Sequence, residues 1–157
     1  MVGAMDKPTS DSFMAQALDE ARAAASRGEV PVGAVVVEAA TGRILARAGN
    51  ETEAAHDPTA HAEILALRRA AQIRGEPRLP DCDLYVTLEP CAMCAAAISH
   101  ARIRRLYFGA YDPKGGGVEH GPRFFAQPTC HHAPEVIGGL DETAAAALLK
   151  DFFKERR

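Results

Sequence analysis

Two cysteines and one histidine of this chain have the types and spacing of metal ligands. Cys91 and Cys94 are separated by two residues, and Pro90 stands immediately before the first of them. Proline favours the opening turn of a helix, where free N–H groups and the positive end of the dipole stabilise thiolates. Two thiolates on that turn can share one soft cation, and His61 supplies an imidazole from upstream. These three ligands predict a zinc ion whose fourth coordination position is open.

Glu63 indicates that this zinc ion is catalytic. Successive residues of a helix are about 100° apart, so side chains at positions 61 and 63 point about 200° apart. His61 and Glu63 can therefore converge only on a point beyond the N-terminal end of their helix, as Cys91 and Cys94 must at theirs. Zinc lowers the pKa of a bound water to about 7, and a carboxylate beside it can transfer the proton. We expect Glu63 to be that proton shuttle.

The alternative is a structural zinc site that a fourth protein ligand closes, as many isolated CxxC pairs do. The candidate fourth ligands are His56, Cys82, Cys130 and His131. Glu63 would then be a solvated helix glutamate. Glu89 is predicted to be a structural partner at the end of a strand. Apart from the candidacy of Cys130 and His131 as a fourth ligand, the segment 130–132 receives no functional role.

The elements that must position these residues follow from hydrophobic patterning. Helices are predicted at about 11–27, 58–74, 91–100 and 141–157, and strands at about 32–37, 44–48, 83–88, 104–110 and 135–137. Strands that alternate with helices imply a βαβ unit and a partly parallel sheet. The predicted fold is an α/β protein, a three-layer α/β/α sandwich on about five strands. The segment 112–128 is too rich in glycine to be assigned to an element.

Composition and charge narrow the class of protein. The 157 residues predict a single domain at 11–157, preceded by a flexible N-terminal tail at 1–10. A net charge of −3 excludes a global basic field, so any contact with nucleic acid must be local. No apolar run approaches the roughly 20 residues that cross a bilayer, and the first residues lack a signal-peptide core. We expect a cytoplasmic protein without membrane contact, in which the close cysteine pair binds metal.

A resemblance to a known family follows from these motifs. His61-Ala-Glu63 followed by Pro90-Cys91-Ala-Met-Cys94 resembles the signature of the zinc-dependent nucleobase deaminases. Wider segments are similar to the bacterial tRNA-specific adenosine deaminases: 29–34 (EVPVGA), 56–63 (HDPTAHAE), 85–94 (YVTLEPCAMC), 108–110 (FGA) and 148–157 (LLKDFFKERR). The resemblance implies a cytidine deaminase-like fold, one zinc ion per subunit and a homodimer.

The same resemblance implies a reaction and its residues. Adenosine at the wobble position of a tRNA anticodon would be hydrolysed to inosine, with zinc-bound hydroxide attacking the amine-bearing carbon. Glu63 would protonate the ring nitrogen and then the departing ammonia. Asn50 matches an asparagine that hydrogen-bonds the flipped base, Val32 and Ala62 would line the pocket, and Asp112 would lie near the substrate backbone.

The end of the chain is the expected contact with the anticodon stem-loop. Phe152 and Phe153 stand among Lys150, Lys154 and Arg156, and aromatic plus basic side chains suit an unstacked nucleotide loop. The alternative is a helix whose phenylalanines pack in the core and whose basic residues balance its dipole.

Two other functions fit part of this sequence. A deaminase of a free nucleobase or nucleoside, of guanine or cytosine type, would share residues 57–63 and the metal motif. A non-catalytic, zinc-stabilised RNA-binding module would need a fourth protein ligand and no Glu63. Thr87 and Leu88 before the Glu-Pro-Cys segment, together with the basic tail, favour the tRNA enzyme.

Overall fold

A computed structural model describes residues 10–156 of the chain. The elements in chain order are α1 (Ser10–Ser26), β1 (Gly33–Glu38), β2 (Arg43–Gly49), α2 (Ala62–Arg74), β3 (Cys82–Leu88), α3 (Ala92–His100), β4 (Arg105–Ala110), β5 (Glu135–Ile137) and α4 (Glu142–Glu155). Apart from Ser10, which begins α1, the tail predicted at 1–10 lies outside the described residues. Within this range, no helix combines the length and apolar character that crossing a bilayer requires.

The strands form one mixed sheet in the order β2-β1-β3-β4-β5. β1 is antiparallel to both β2 and β3, whereas β3, β4 and β5 run parallel to one another. The helix α3 connects the parallel strands β3 and β4, as the predicted βαβ unit requires. The carboxyl ends of β2, β3 and β4 therefore meet the start of β1 at one edge of the sheet.

Both faces of the sheet are buried, which confirms the three-layer sandwich. On one face, Ala34, Val36 and Leu84 pack with residues of α2 and α3. On the other face, Val35 and Tyr85 pack with residues of α1 and α4. The uninterrupted apolar run of β1 is the pattern expected of a strand covered on both sides.

The predicted start of the second helix at Pro58 is wrong, because α2 begins at Ala62. Residues 51–61 form turns instead. The Asp57 carboxylate accepts hydrogen bonds from the Thr59 backbone N–H (2.8 Å) and hydroxyl (2.7 Å). This local side-chain turn competes with the helical ladder and delays the helix by four residues.

Candidate metal centre and active site

His61 and Cys91 each occupy the residue directly before a helix. His61 precedes α2 with φ −72° and ψ 152°, and Cys91 precedes α3 with φ −71° and ψ 175°. Neither side chain makes a capping hydrogen bond with its own helix. The imidazole and the thiol are therefore free to point away from the helices, towards a common point between the two N-termini.

The three predicted ligand atoms meet at that point. His61 Nδ1 lies 3.6 Å from Cys91 Sγ and 3.5 Å from Cys94 Sγ. Tetrahedral zinc with ordinary bond lengths holds a nitrogen and a sulfur ligand about 3.6 Å apart, so the spacing and the donor set fit zinc. In residues 10–156 this is the one group of three such side chains close enough to share an ion.

The four candidate fourth ligands do not join this cluster. His56, Cys82, Cys130 and His131 all lie in the described part of the chain, and none belongs to the group. Cys82 contacts Asp81 and Arg74 instead, and Cys130 contacts Ser99. The ligand set of three with an open position is the arrangement of a catalytic zinc site.

The two cysteines differ in protonation before metal binds. A hydrogen bond from Cys94 lowers the pKa of Cys91 to about 4, and His61 contributes to the same shift. The pKa of Cys94 is raised because it donates that bond and is buried. Since zinc binds thiolates, the raised pKa of Cys94 means that zinc binding must displace the proton of this thiol.

Glu63 is a buried carboxyl group beside the metal cluster. It is 4% exposed and hydrogen-bonds Cys94. Burial raises the pKa of Glu63 to about 7, against a smaller opposing effect from His61. A carboxyl group with a pKa near neutrality can both accept and donate a proton during a reaction at physiological pH.

A cavity of about 330 Å³ opens over this cluster at the edge where the strands meet. Its walls include six of the predicted site residues: Val32, Asn50, His61, Glu63, Cys91 and Asp112. They come from five separate segments of the chain, which only the sheet brings together. The volume lies within the range of small-molecule sites in proteins.

Asn50 is oriented by a backbone contact. Its Oδ1 accepts the backbone N–H of Ala62 at 2.8 Å. With its oxygen engaged, the group that Asn50 can offer to a ligand is the amide N–H₂. Ala62 itself is fully buried and is absent from the cavity wall, so its contribution is to hold Asn50 in place.

The structure separates the two phenylalanines of α4. Phe152 is 7% exposed, and the Arg156 guanidinium lies 3.6 Å from the centre of its ring. Phe153 is 50% exposed. Neither lines the cavity, but a Cβ placed on Gly28 would lie 3.9 Å from Arg156, and Gly28 is two residues from Val30 on the cavity wall. The C-terminal end of α4, which carries the exposed Phe153, therefore lies beside the turn at Gly28.

Sequence reasoning missed one supporting residue, Glu29, whereas the contacts of Glu89 agree with its predicted role as a structural partner at the end of a strand. Glu29 is 1% exposed and accepts the backbone N–H groups of Glu53 (3.1 Å) and Ala54 (2.9 Å). Glu89 binds a second loop in the same way. The signal for Glu89 was an acidic residue directly after a buried apolar strand, where a carboxylate requires hydrogen-bond donors. Glu29 lies in the turn between α1 and β1, where no such signal exists.

Comparisons with known proteins agree with this geometry. The profile of the cytidine and deoxycytidylate deaminase zinc-binding region matches residues 7–110. A tRNA-specific adenosine deaminase of Agrobacterium fabrum is 62% identical over 145 residues, which are 92% of this chain and 94% of that protein.

Two solved structures are also similar. One, from work on A-to-I editing by tRNA deaminases at the wobble position of transfer RNA, has a TM-score of 0.85 and 63% identity, covering 87% of this chain and 98% of that chain. The other, a guanine deaminase from Nitrosomonas europaea, has a TM-score of 0.80 and 25% identity, covering 92% of this chain and 84% of that chain.

Replacement of Cys91 or Cys94 by serine is expected to remove zinc, because each substitution takes one of three ligands. We expect zinc affinity to fall more than about 100-fold, beyond the loss usual for residues that only support a ligand. Metal content after dialysis and competition with a chromogenic chelator measure this loss. Cys130→Ser is the control and should keep one equivalent; wild-type zinc affinity in both ligand variants would contradict the site.

Proposed function

Because this chain belongs to the cytidine and deoxycytidylate deaminase family, we propose that it hydrolyses adenosine to inosine at the wobble position of a tRNA anticodon. The observation that carries this proposal is the cluster of His61, Cys91 and Cys94 beside the buried Glu63, under a cavity that Asn50 lines. Similarity to tRNA-specific adenosine deaminases over 92% of the chain supports the choice of substrate.

Each residue of the site has a role in this reaction. His61, Cys91 and Cys94 would hold zinc, which would supply an acidified water as the nucleophile. Glu63 carries the two protons of that water in turn: the first goes to the ring nitrogen, and the second, released when the new carbonyl forms, goes to the leaving amine. Adenosine and water thus give inosine and ammonia. Burial raises the pKa of Glu63, which favours the protonated form that delivers a proton to the substrate. The Asn50 amide holds the base.

The enclosed cavity restricts the form of the substrate. The reacting carbon must come within reach of Glu63, so the base must leave its stack and enter the cavity. Extraction from a duplex costs a few kcal/mol, whereas a loop base is already partly unstacked. An anticodon loop therefore suits the cavity, and we propose that Asp112, which lines it, lies near the sugar of the extruded nucleotide.

A deaminase of free guanine is the second candidate, because a guanine deaminase shares the fold with a TM-score of 0.80. Its identity to this chain is 25%, against 63% for the structure from the tRNA editing work. The difference favours the tRNA substrate. The RNA-binding module without catalysis is disfavoured, because no fourth protein ligand closes the metal cluster in the described residues.

We propose that the protein acts in the cytoplasm, where tRNA is used in translation.

We also propose that the protein is a homodimer. An open apolar groove of about 440 Å³ lies between α2 and α3. Leu67, Ala71 and Ala97 are among its lining residues, and small side chains allow close approach of helices. A second copy of this chain is the proposed occupant.

The Glu63→Gln variant should lose at least about 100-fold in turnover with unchanged zinc content and melting temperature, because glutamine keeps the shape but cannot carry the proton. Mass spectrometry of an anticodon hairpin after incubation with zinc-loaded protein measures the adenosine-to-inosine change. Glu76→Gln, at an exposed position after α2, is the matched control. Normal turnover by the Glu63 variant would refute the mechanism.

Phe153→Ala should raise KM for the hairpin by about 5-fold or more, because stacking of one base on an aromatic ring contributes about 1–3 kcal/mol. Ile73→Ala removes an exposed apolar side chain from α2 and should leave KM unchanged.

Free adenosine, cytidine and guanine should not be deaminated. Efficient turnover of free guanine, unaffected by either substitution, would support the second candidate instead.

Sedimentation at micromolar concentration should show a species of twice the 16.7 kDa monomer mass. Ala97→Arg places a charge in the α2–α3 groove and should shift the protein to monomer without loss of zinc. Exposed Ala146→Arg on α4 is the control and should remain dimeric. A wild-type protein that sediments only as a monomer would refute the homodimer.

A further inference from the structure

The Glu89 carboxylate is the centre of a hydrogen-bond cluster beside the cavity. Its side chain is fully buried. Oε2 accepts the backbone N–H groups of Val118 (3.2 Å), Glu119 (2.8 Å) and His120 (3.1 Å). Oε1 faces the Asp112 backbone N–H (3.0 Å) and His120 Nδ1 (2.8 Å). Five nitrogen atoms from a single loop thus surround one carboxylate.

These contacts organise a segment that has no helix or strand of its own. Within the loop 112–120, the Gly116 N–H donates to the Asp112 carbonyl (2.8 Å), and the Asp112 carboxylate accepts the N–H groups of the two residues before Gly116. Four other backbone N–H groups of this loop donate to Glu89. Buried backbone N–H groups require acceptors, and a charged acceptor forms the stronger bonds. The buried carboxylate therefore replaces secondary structure in setting the path of this loop.

Two glycines show how closely the loop approaches its anchor. A Cβ on Gly116 would overlap Glu89 Oε2, and a Cβ on Gly117 would lie 2.7 Å from the Ala92 Cα. The Gly117 N–H also donates to the Pro90 carbonyl at 2.8 Å. The loop therefore contacts both Glu89 and the two residues on either side of Cys91.

We propose that Glu89 is a positioning residue for the deamination: its carboxylate holds the 112–120 loop as one wall of the cavity and sets Asp112 and Gly115 at a fixed distance from the metal-binding Cys91. This inference rests on the proposed function, because it assigns the wall to the bound nucleotide. Asp112 and Gly115 both line the cavity. Since Glu89 and Cys91 flank a single proline, the wall and the metal ligand share one short, stiff segment.

The variant Glu89→Gln is expected to disturb one contact selectively. An amide N–H₂ at the position of Oε2 would face three backbone N–H groups. At the position of Oε1, the amide N–H₂ would face the Asp112 N–H and His120 Nδ1. Nδ1 can accept a hydrogen bond from this amide when the ring proton is on Nε2. The side chain should therefore adopt the second orientation, and only the Asp112 contact should be lost.

Gly116→Ala tests the same cluster from the loop side. Its methyl group overlaps Glu89 Oε2, so it should displace the three N–H groups that this oxygen accepts. The matched control is Asp83→Asn. Asp83 is a buried carboxylate within β3, at the end of the strand opposite to Glu89, where it pairs with Arg104 at 2.8 and 3.0 Å.

Amide hydrogen exchange of the zinc-loaded full chain, read by NMR, tests the anchoring directly. In Glu89→Gln, exchange at Asp112 should accelerate at least 10-fold while positions 118–120 stay protected. In Gly116→Ala, positions 118–120 should accelerate instead. Asp83→Asn should change neither set. Unchanged exchange at Asp112 in the first variant and at 118–120 in the second would overturn the proposal.

Hairpin kinetics test whether the wall positions substrate. Glu89→Gln should raise KM for the hairpin about 10-fold, with a smaller change in kcat and full zinc content, because Glu63 and the metal ligands are intact. Faster exchange with an unchanged KM would assign Glu89 to folding alone and overturn the positioning role. A wild-type protein without activity on the hairpin would refute the proposed function, while the exchange experiment would still decide how the loop is held.

Discussion

The approach of two helix N-termini to one point is the constraint on which the rest of this structure depends. α2 and α3 begin with His61 and Cys91 at their preceding residues, and the ligand atoms lie 3.5–3.6 Å apart. Both helix ends carry partial positive charge, so they would repel each other without an intervening negative group. The thiolate character of Cys91 offsets this repulsion, and zinc binding would make Cys94 a second thiolate by releasing its proton to solvent.

The loops around this point have little regular structure, and buried carboxylates accept the hydrogen bonds of their backbone N–H groups. Glu29 accepts N–H groups from the loop after β2, and Glu89 accepts them from the loop after β4. Glu89 directly follows β3, and Glu29 lies in the turn that leads from α1 into β1, so each loop is attached to the framework of helices and strands. This arrangement permits an irregular cavity wall that is nevertheless tied to the rigid layer beneath it.

The shared fold does not decide the substrate. A structure from work on tRNA editing and a guanine deaminase both superpose on this chain, with TM-scores of 0.85 and 0.80. Zinc held between the two helix starts would supply an activated water, and Glu63 a proton carrier, in both kinds of enzyme. Discrimination between a free base and a nucleotide in a loop must therefore come from residues outside this shared framework.

The sequence by itself determined the chemistry and most of the framework. The spacing of Cys91 and Cys94, and the presence of Glu63 two residues after His61, depend on residue type and helix geometry, which are local. Helices and strands were predicted nearly to their observed bounds for the same reason, since periodicity within each segment records which faces are buried. The error at Pro58 arose where a local aspartate turn competed with the helix.

Only the tertiary structure decided which neighbouring side chains face the interior and which loops an acid holds. Phe152 and Phe153 are adjacent and chemically identical, yet one is buried and the other exposed. Adjacent helical residues point about 100° apart, so the docking of α4 on the sheet selects between them. Glu89 and the loop at 112–120 are distant in sequence, and no local pattern records their contact. It exists because parallel pairing of β3 and β4 brings the ends of both strands to one edge of the sheet.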